Sequence, residues 1–208
     1  MTTDERRAQL VALGLQHFAG RAYEDVSIDE IAEAAGISKG LLYHYFPTKR
    51  DFYVAAITEA AGELLARATP DPSLPPLDRA TRGIDSYLAY VEEHAPAYVA
   101  LMSGGGQDPA VHAVIEGTRA AFLERLLGGV DAARVEGQRG QRGESAARAP
   151  SPLEHPVFRV AMRGFIGFAE SASLEWLRSR RAMPREVIRD LLLRTFLAIL
   201  QDFVPHPP

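Results

Sequence analysis

Ser27 to Lys49 reads SIDEIAEAAGISKGLLYHYFPTK, and the rest of the chain is organised around this stretch. Ile28, Ile31, Ala32 and Ala35 fall at helical spacing, so one stripe can be buried while Asp29, Glu30 and Glu33 face water. That pattern predicts a short helix. Gly36 follows, the residue type that enters a left-handed turn without steric cost, and Ser38 offers a hydroxyl to cap a second helix running to about His44. Ala32 is small enough to let the two helices cross closely, and Ile37, Leu42 and Tyr45 supply the apolar inner side. This is the spacing of a helix-turn-helix, whose second helix enters the major groove of DNA.

Local charge agrees with that reading. Ser38 to Arg50 contains Lys39, Lys49 and Arg50 and no acid, and Tyr43, His44 and Tyr45 are interleaved with them as donors and aromatic edges. A plain helical hairpin with a solvated face is the alternative for so short a pattern. The pattern extends, however, into Phe46-Pro47-Thr48-Lys49, where Thr48 or Pro47 can start another helix and Lys49 lies near its positive end, a natural place to hold a phosphate.

The run GISKGLLYHYFPTKRDFY, preceded by DVSIDEIAEAA and by a helix containing Phe18, resembles the N-terminal domain of the TetR family of bacterial transcriptional regulators. Two positions depart from the family pattern: Ala22 stands before Tyr23 where a turn glycine is usual, and Phe52 stands where leucine is usual. The resemblance implies an all-α protein. A three-helix, helix-turn-helix DNA-binding domain is expected at 1–62, and a helical regulatory, ligand-binding and dimerisation domain at 63–208. Lys39, Gly40, Leu41 and Tyr43 are the positions expected to approach bases, with Gly40 allowing close backbone approach and Leu41 meeting a thymine methyl. Ser27, His44 and Lys49 are expected to hold phosphates, Tyr43 to serve either role, and Ser38 joins the DNA-facing set, while Leu42 and Phe46 belong to the core.

Net charge is −4, from 23 basic and 27 acidic side chains, and residues 1–50 carry six Lys or Arg against seven Asp or Glu. A protein that merely coats nucleic acid would be basic, so DNA binding here has to depend on one focused face and on fit. With no cysteine, disulfides, thiolate nucleophiles and cysteine metal sites are excluded. The start, MTTDERRAQL, lacks the order of a signal peptide, and the most apolar run, LLLRTFLAIL, is broken by Arg194. A cytoplasmic protein without membrane contact and without a cofactor is expected.

Taken in order, Asp4 to about Ala19 reads as the first helix, with Leu10, Leu13 or Gly14, and His17 or Phe18 on one side. Arg6 and Arg7 near its start are phosphate contacts or solvated charges. Tyr23 to Val26 reads as a turn, and Ser27 as the cap of the next helix. A fourth helix runs from near Thr48 to about Arg67, until TPDPSLPP ends it. Leu77 to His94, a shorter helix opened by Pro96, and a helix opened by Pro109 follow. Gly104-Gly105-Gly106 reads as an interhelical turn, because no strand precedes it. Asp131 to Pro156, with four basic and four acidic residues, three Gly and three Pro, predicts a mobile loop.

Val157 to Arg180 and the helix opened by Pro184 close the chain. Both carry more apolar surface than one neighbour covers, which predicts a homodimer through a four-helix bundle, the interface the resemblance also implies. A ligand cavity between the C-terminal helices is expected to draw on Tyr87, Tyr90, His94, Tyr98, Met102, Phe122, Phe165, Phe168 and Trp176, residues suited to an aromatic or amphipathic effector but also to plain core. The expected function is that of a regulator, a repressor released from near-palindromic operator DNA by an unidentified small molecule. Its rivals are a regulator switched by a protein partner and a helical enzyme. His112 and Glu116 lie one helical turn apart without further visible metal ligands, and no G-x-S-x-G elbow, paired-carboxylate motif or P-loop is present.

Overall fold

The computed structural model describes residues 2–18, 21, 23–104, 108–140, 155–180 and 182–203. Among these residues there are nine α-helices and no strand: α1 Thr3–Phe18, α2 Ile28–Ala34, α3 Lys39–Tyr45, α4 Lys49–Arg67, α5 Pro76–Glu93, α6 Ala95–Gly104, α7 Pro109–Gly140, α8 Pro156–Arg178 and α9 Arg185–Phe203. The expected turn at Tyr23 is one turn of 3₁₀ helix, Tyr23–Asp25. Ala22, Gly105 and Gly106 lie outside the described residues. The helices pack as two compact units, Met1–Ala66 with Tyr90–Thr118, and Arg67–Ala89 with Arg119–Pro208.

The first unit is built on the periodic apolar positions. Leu10, Val11 and Phe18 of α1, Ile28, Ile31 and Ala32 of α2, Leu42 of α3, Phe46 beyond it, and Phe52 and Ala56 of α4 form one buried cluster. Each large side chain there contributes about 1.5–3 kcal/mol by leaving water. Phe52 is fully buried, and the far end of its ring lies against Gly14 of α1, where an added Cβ would collide with Cζ. The aromatic ring that replaces the family's leucine is thus accommodated by a missing side chain across the core. Tyr90 of α5 is tied to α4 by its hydroxyl, which donates to the Ala60 carbonyl at 3.0 Å.

In the second unit α8 packs on α9. Phe158, Met162, Phe165, Ile166 and Trp176 of α8 meet Ile188, Leu192 and Phe196 of α9, with Leu123, Leu127 and Val130 of α7 and Leu88 of α5 completing the cluster. Two polar side chains of this unit find partners within it. The Ser173 hydroxyl donates to the Ala169 carbonyl at 2.7 Å, and Arg119 of α7 grips Glu170 of α8 through contacts of 2.6 to 3.0 Å. Two residues beyond the end of α8 at Arg178, Arg180 has φ 55, and the Trp176 indole N–H donates to the Met183 carbonyl at 2.9 Å. Val157, Val160, Phe168, Val187 and Leu191 of α8 and α9 remain exposed.

One expectation is corrected. Residues 131–140, read as part of a mobile loop, continue α7 to Gly140. The charges that argued against order are paired there: Arg134 binds Asp131 at 3.0 Å, one turn away, and Arg79 of α5 holds Glu136 with a bidentate contact at 3.0 and 3.1 Å. Pro156, the far end of the expected loop, opens α8, and residues 141–154 lie outside the described residues.

Candidate nucleic-acid interface

The two short helices α2 and α3 are set by capping and one left-handed residue. Ser27 has extended backbone and its hydroxyl accepts from the Asp29 N–H at 3.2 Å, and Ser38 does the same for Leu41 at 3.1 Å. Between them Gly36 takes φ 65, which other residue types adopt only with strain, and its N–H donates to the Glu33 carbonyl. Ile37 N–H reaches the Ala32 carbonyl at 3.0 Å and closes the turn. Leu42 is buried beneath α3. The opposite side of that helix is open: Lys39, Gly40, Leu41, Tyr43 and His44 are all exposed, Leu41 to 40% and Tyr43 to 37%. Neither Leu41 nor Tyr43 belongs to the apolar cluster of this unit.

Gly40 is informative because the fold does not require it. A Cβ at this position would meet nothing nearer than the Ser38 hydroxyl at 3.9 Å, and glycine within a helix is disfavoured by roughly 1 kcal/mol against alanine. Gly14 is the opposite case, with no space for a side chain.

Every cation that the sequence places around this face is already engaged. Lys39, at the start of α3, donates to Asp29 of α2 at 2.8 Å, and that carboxylate, by its hydrogen bond and then its charge, pushes the lysine above its ordinary pKa. Lys49 donates to the Glu24 carbonyl at 3.2 Å with its ammonium 4.5 Å above the Tyr23 ring. Arg50 of α4 makes a bidentate pair with Asp108 at 2.5 and 2.7 Å, and Arg21 binds Glu30 at 2.8 Å. Near the start of α1, the Arg7 guanidinium lies 5.0 Å from the Phe46 ring centroid, and Arg6 bonds Gln9. Thr48 starts α4, accepting from the Asp51 N–H at 3.0 Å and donating to its carboxylate at 2.8 Å. None of these pairings was legible from residue spacing, except the caps.

The residues expected to line a ligand cavity fall into two groups. Tyr90, His94, Tyr98 and Met102 belong to the first unit, where the Tyr90 and His94 rings meet at a tilt of 48° with centroids 4.3 Å apart. Tyr87, Phe122, Phe165, Phe168 and Trp176 belong to the second. There Tyr87 meets Phe122 edge-on at 6.3 Å, Phe165 packs on Phe196 at 5.4 Å, Trp176 is core, and Phe168 lies on the surface. His112 and Glu116 share α7, and among the described residues no group of three or more metal-ligating side chains forms. No described helix is long and apolar enough to cross a membrane.

Comparison with known proteins gives this geometry a family. Residues 10–56 match the profile of bacterial regulatory proteins of the tetR family, and residues 76–199 match the tetracyclin repressor-like C-terminal domain. The transcriptional activator FasR of Mycolicibacterium smegmatis is 30% identical over 101 residues, 46% of this chain and 44% of its own length. The transcriptional regulator AcuR of Cereibacter sphaeroides is 42% identical over 73 residues, 34% of this chain and 33% of its own length. These matches therefore span less than half of either relative. Among solved structures, a tetR-family regulator from Streptomyces coelicolor superposes with a TM-score of 0.77 at 34% identity, covering 96% of this chain and 82% of that one. FadR of Bacillus subtilis, solved in complex with stearoyl-CoA, shares the fold at 16% identity, with a TM-score of 0.67 over 92% of this chain and 97% of that one. Matched across its helix-turn-helix by one profile and across 76–199 of its 208 residues by the other, the chain belongs to the TetR family of bacterial regulatory proteins.

Proposed function

We propose that this protein is a sequence-specific transcriptional regulator, a repressor that binds near-palindromic operator DNA as a homodimer and leaves it when a small molecule binds its C-terminal helices. The observation that carries the reading is the outer surface of α3, where Lys39, Gly40, Leu41, Tyr43 and His44 are exposed above a buried Leu42. A lysine suits guanine acceptors, an aliphatic side chain suits a thymine methyl, and a glycine lets backbone approach the base edges. Ser27, His44 and Lys49 are assigned to phosphates, which position the helix without reading sequence, with Tyr43 able to serve either role and Ser38 also facing the DNA.

Dimerisation is assigned to α8 and α9. Val157, Val160, Phe168, Val187 and Leu191 are large apolar side chains left exposed on these two helices, and a twofold axis there would place two copies of α3 about 34–36 Å apart, one turn of DNA. The effector is taken to be aromatic or amphipathic. It acts by binding one spacing of the two reading helices more tightly than the other, since only differential affinity shifts such an equilibrium. Acyl-CoA thioesters head the trial panel because FadR of Bacillus subtilis was solved with stearoyl-CoA.

The test is binding of the purified protein to DNA from upstream of its own gene at two salt concentrations, beside a Lys39→Ala/Tyr43→Ala variant. Tight, salt-sensitive binding that the variant loses is the expected result. Equal, weak binding of both proteins to any sequence would overturn the reading. Thermal melting with the acyl-CoA panel then tests the effector class.

A further inference from the structure

We propose that Asp29 sets the specificity of the reading helix by competing with DNA phosphate for Lys39, so that contact with an arbitrary sequence gains little from that lysine. The inference rests on the DNA-binding function proposed above and concerns a residue to which that function gave no part.

Lys39 is the one Lys or Arg in α3, and its ammonium meets the Asp29 carboxylate at 2.8 Å across the helix pair. The two side chains are 50% and 67% exposed, so the pair lies in solvent and can open without disturbing the core. Ser27 caps α2 two residues before Asp29, and the carboxylate occupies the first turn, where negative charge is favoured by the helix dipole. That preference explains an acid at this position, yet it does not require the acid to hold the lysine of the neighbouring helix.

Competition follows from the chemistry of the two partners. An exposed lysine–carboxylate pair and a lysine–phosphate contact are of similar strength, so exchanging one for the other in an arbitrary complex is close to neutral. Asp29 also stays behind as an uncompensated anion beside the DNA backbone. On a correct sequence Lys39 meets a guanine edge, the role assigned to it above, and that contact is worth more than the pair it replaces, so the exchange is favourable only there. The carboxylate thus lowers affinity for wrong sequences more than for the right one. The other cations around the face are held in the same manner, Arg21 by Glu30 and Arg50 by Asp108, but they lie outside α3.

The experiment begins with an operator selected by the wild-type protein from a random-sequence duplex library. Affinities for that operator and for an unselected duplex of equal length are then measured over a range of salt. The proteins compared are the wild type, Asp29→Asn, Lys39→Gln, the double variant, and Glu33→Gln as an equal charge change on an exposed residue of the same helix. Asp29→Asn is expected to bind the unselected duplex about two- to fivefold more tightly, with a salt dependence steeper by about 0.9, one phosphate contact. Operator affinity should rise less, so the specificity ratio falls. The gain should vanish in the Lys39→Gln background and be absent from Glu33→Gln. No gain, a gain that survives Lys39→Gln, or a gain matched by Glu33→Gln would overturn the proposal while leaving operator binding intact. Failure of the wild type to select any sequence would instead remove the regulator reading, and this inference with it.

Discussion

Arg50, in the first turn of α4, grips Asp108 ahead of α7 with two parallel hydrogen bonds of 2.5 and 2.7 Å, and the same carboxylate accepts from the backbone N–H groups of Ala110 and Val111. One acid therefore both caps a helix and closes an ion pair 58 residues back along the chain. The Arg50 hydrogen bonds, aided by the two N–H groups, pull the Asp108 carboxyl down to about 2 from its ordinary 3.8.

The sign of the pH effect follows. Because the folded state holds this carboxylate below its unfolded value, its contribution to stability is complete above about pH 3.8 and is lost as pH falls toward 2. Asp108→Asn, which can still cap α7, should melt at a lower temperature than wild type at neutral pH. The gap should close on acidification through that window. Melting curves by circular dichroism across pH check it, and a gap independent of pH would exclude the ion pair as its source.

Gly14→Ala should destabilise the first unit by about 1–3 kcal/mol, since the added methyl overlaps the Phe52 ring and the surrounding core is full. Phe52→Leu in the same chain should recover much of that loss. Urea unfolding of the single and double variants measures the coupling between them.

Gly40→Ala is expected to behave in the opposite way. Its Cβ has room, so the helical preference for alanine should stabilise the protein by roughly 0.5–1 kcal/mol. Operator binding should nevertheless weaken at least tenfold, a discrimination of roughly 1.4 kcal/mol, if bases approach that backbone. A variant that gains stability and keeps full affinity would remove Gly40 from the interface.

Ser27→Ala should cost about 0.5–2 kcal/mol through loss of the α2 cap. Ser27→Asp keeps a capping acceptor at that position and adds charge. If the hydroxyl also meets a phosphate, the aspartate variant will be stable yet bind DNA poorly. If capping is its whole role, both stability and affinity will be near wild type.

Val160→Asp and Leu191→Asp test the dimer face. Val160 is 71% exposed, so the charge adds no strain to the folded chain. Sedimentation should show a shift from dimer to monomer in both variants, with unchanged helix content. A monomeric wild type would refute the assignment.

Residue order made the helix-turn-helix legible because its determinants are local. Ser27, Gly36 and Ser38 each act within three residues of themselves, and the apolar stripe of α2 needs no knowledge of distant chain. What spacing did not reveal is what depends on a partner far away. Asp29 meets Lys39 ten residues on, Arg50 meets Asp108, and Phe52 is answered by the absent side chain of Gly14. The same cause misled the reading of Asp131 to Gly140. Its charges look like those of a solvated loop until Arg79, more than fifty residues earlier, is seen to neutralise Glu136.

Trp176 is the only tryptophan of the chain, 2% exposed in the second unit, with its indole N–H held by the Met183 carbonyl. The protein thereby contains its own optical reporter. Excited at the indole band, the native state should emit at short wavelength from an apolar, hydrogen-bonded site, and a red shift should mark the moment at which the turn between α8 and α9 opens. Because the first unit has no tryptophan, this emission follows the α8–α9 unit alone. Any difference between it and the far-ultraviolet signal of all the helices would show that the two units unfold in separate steps.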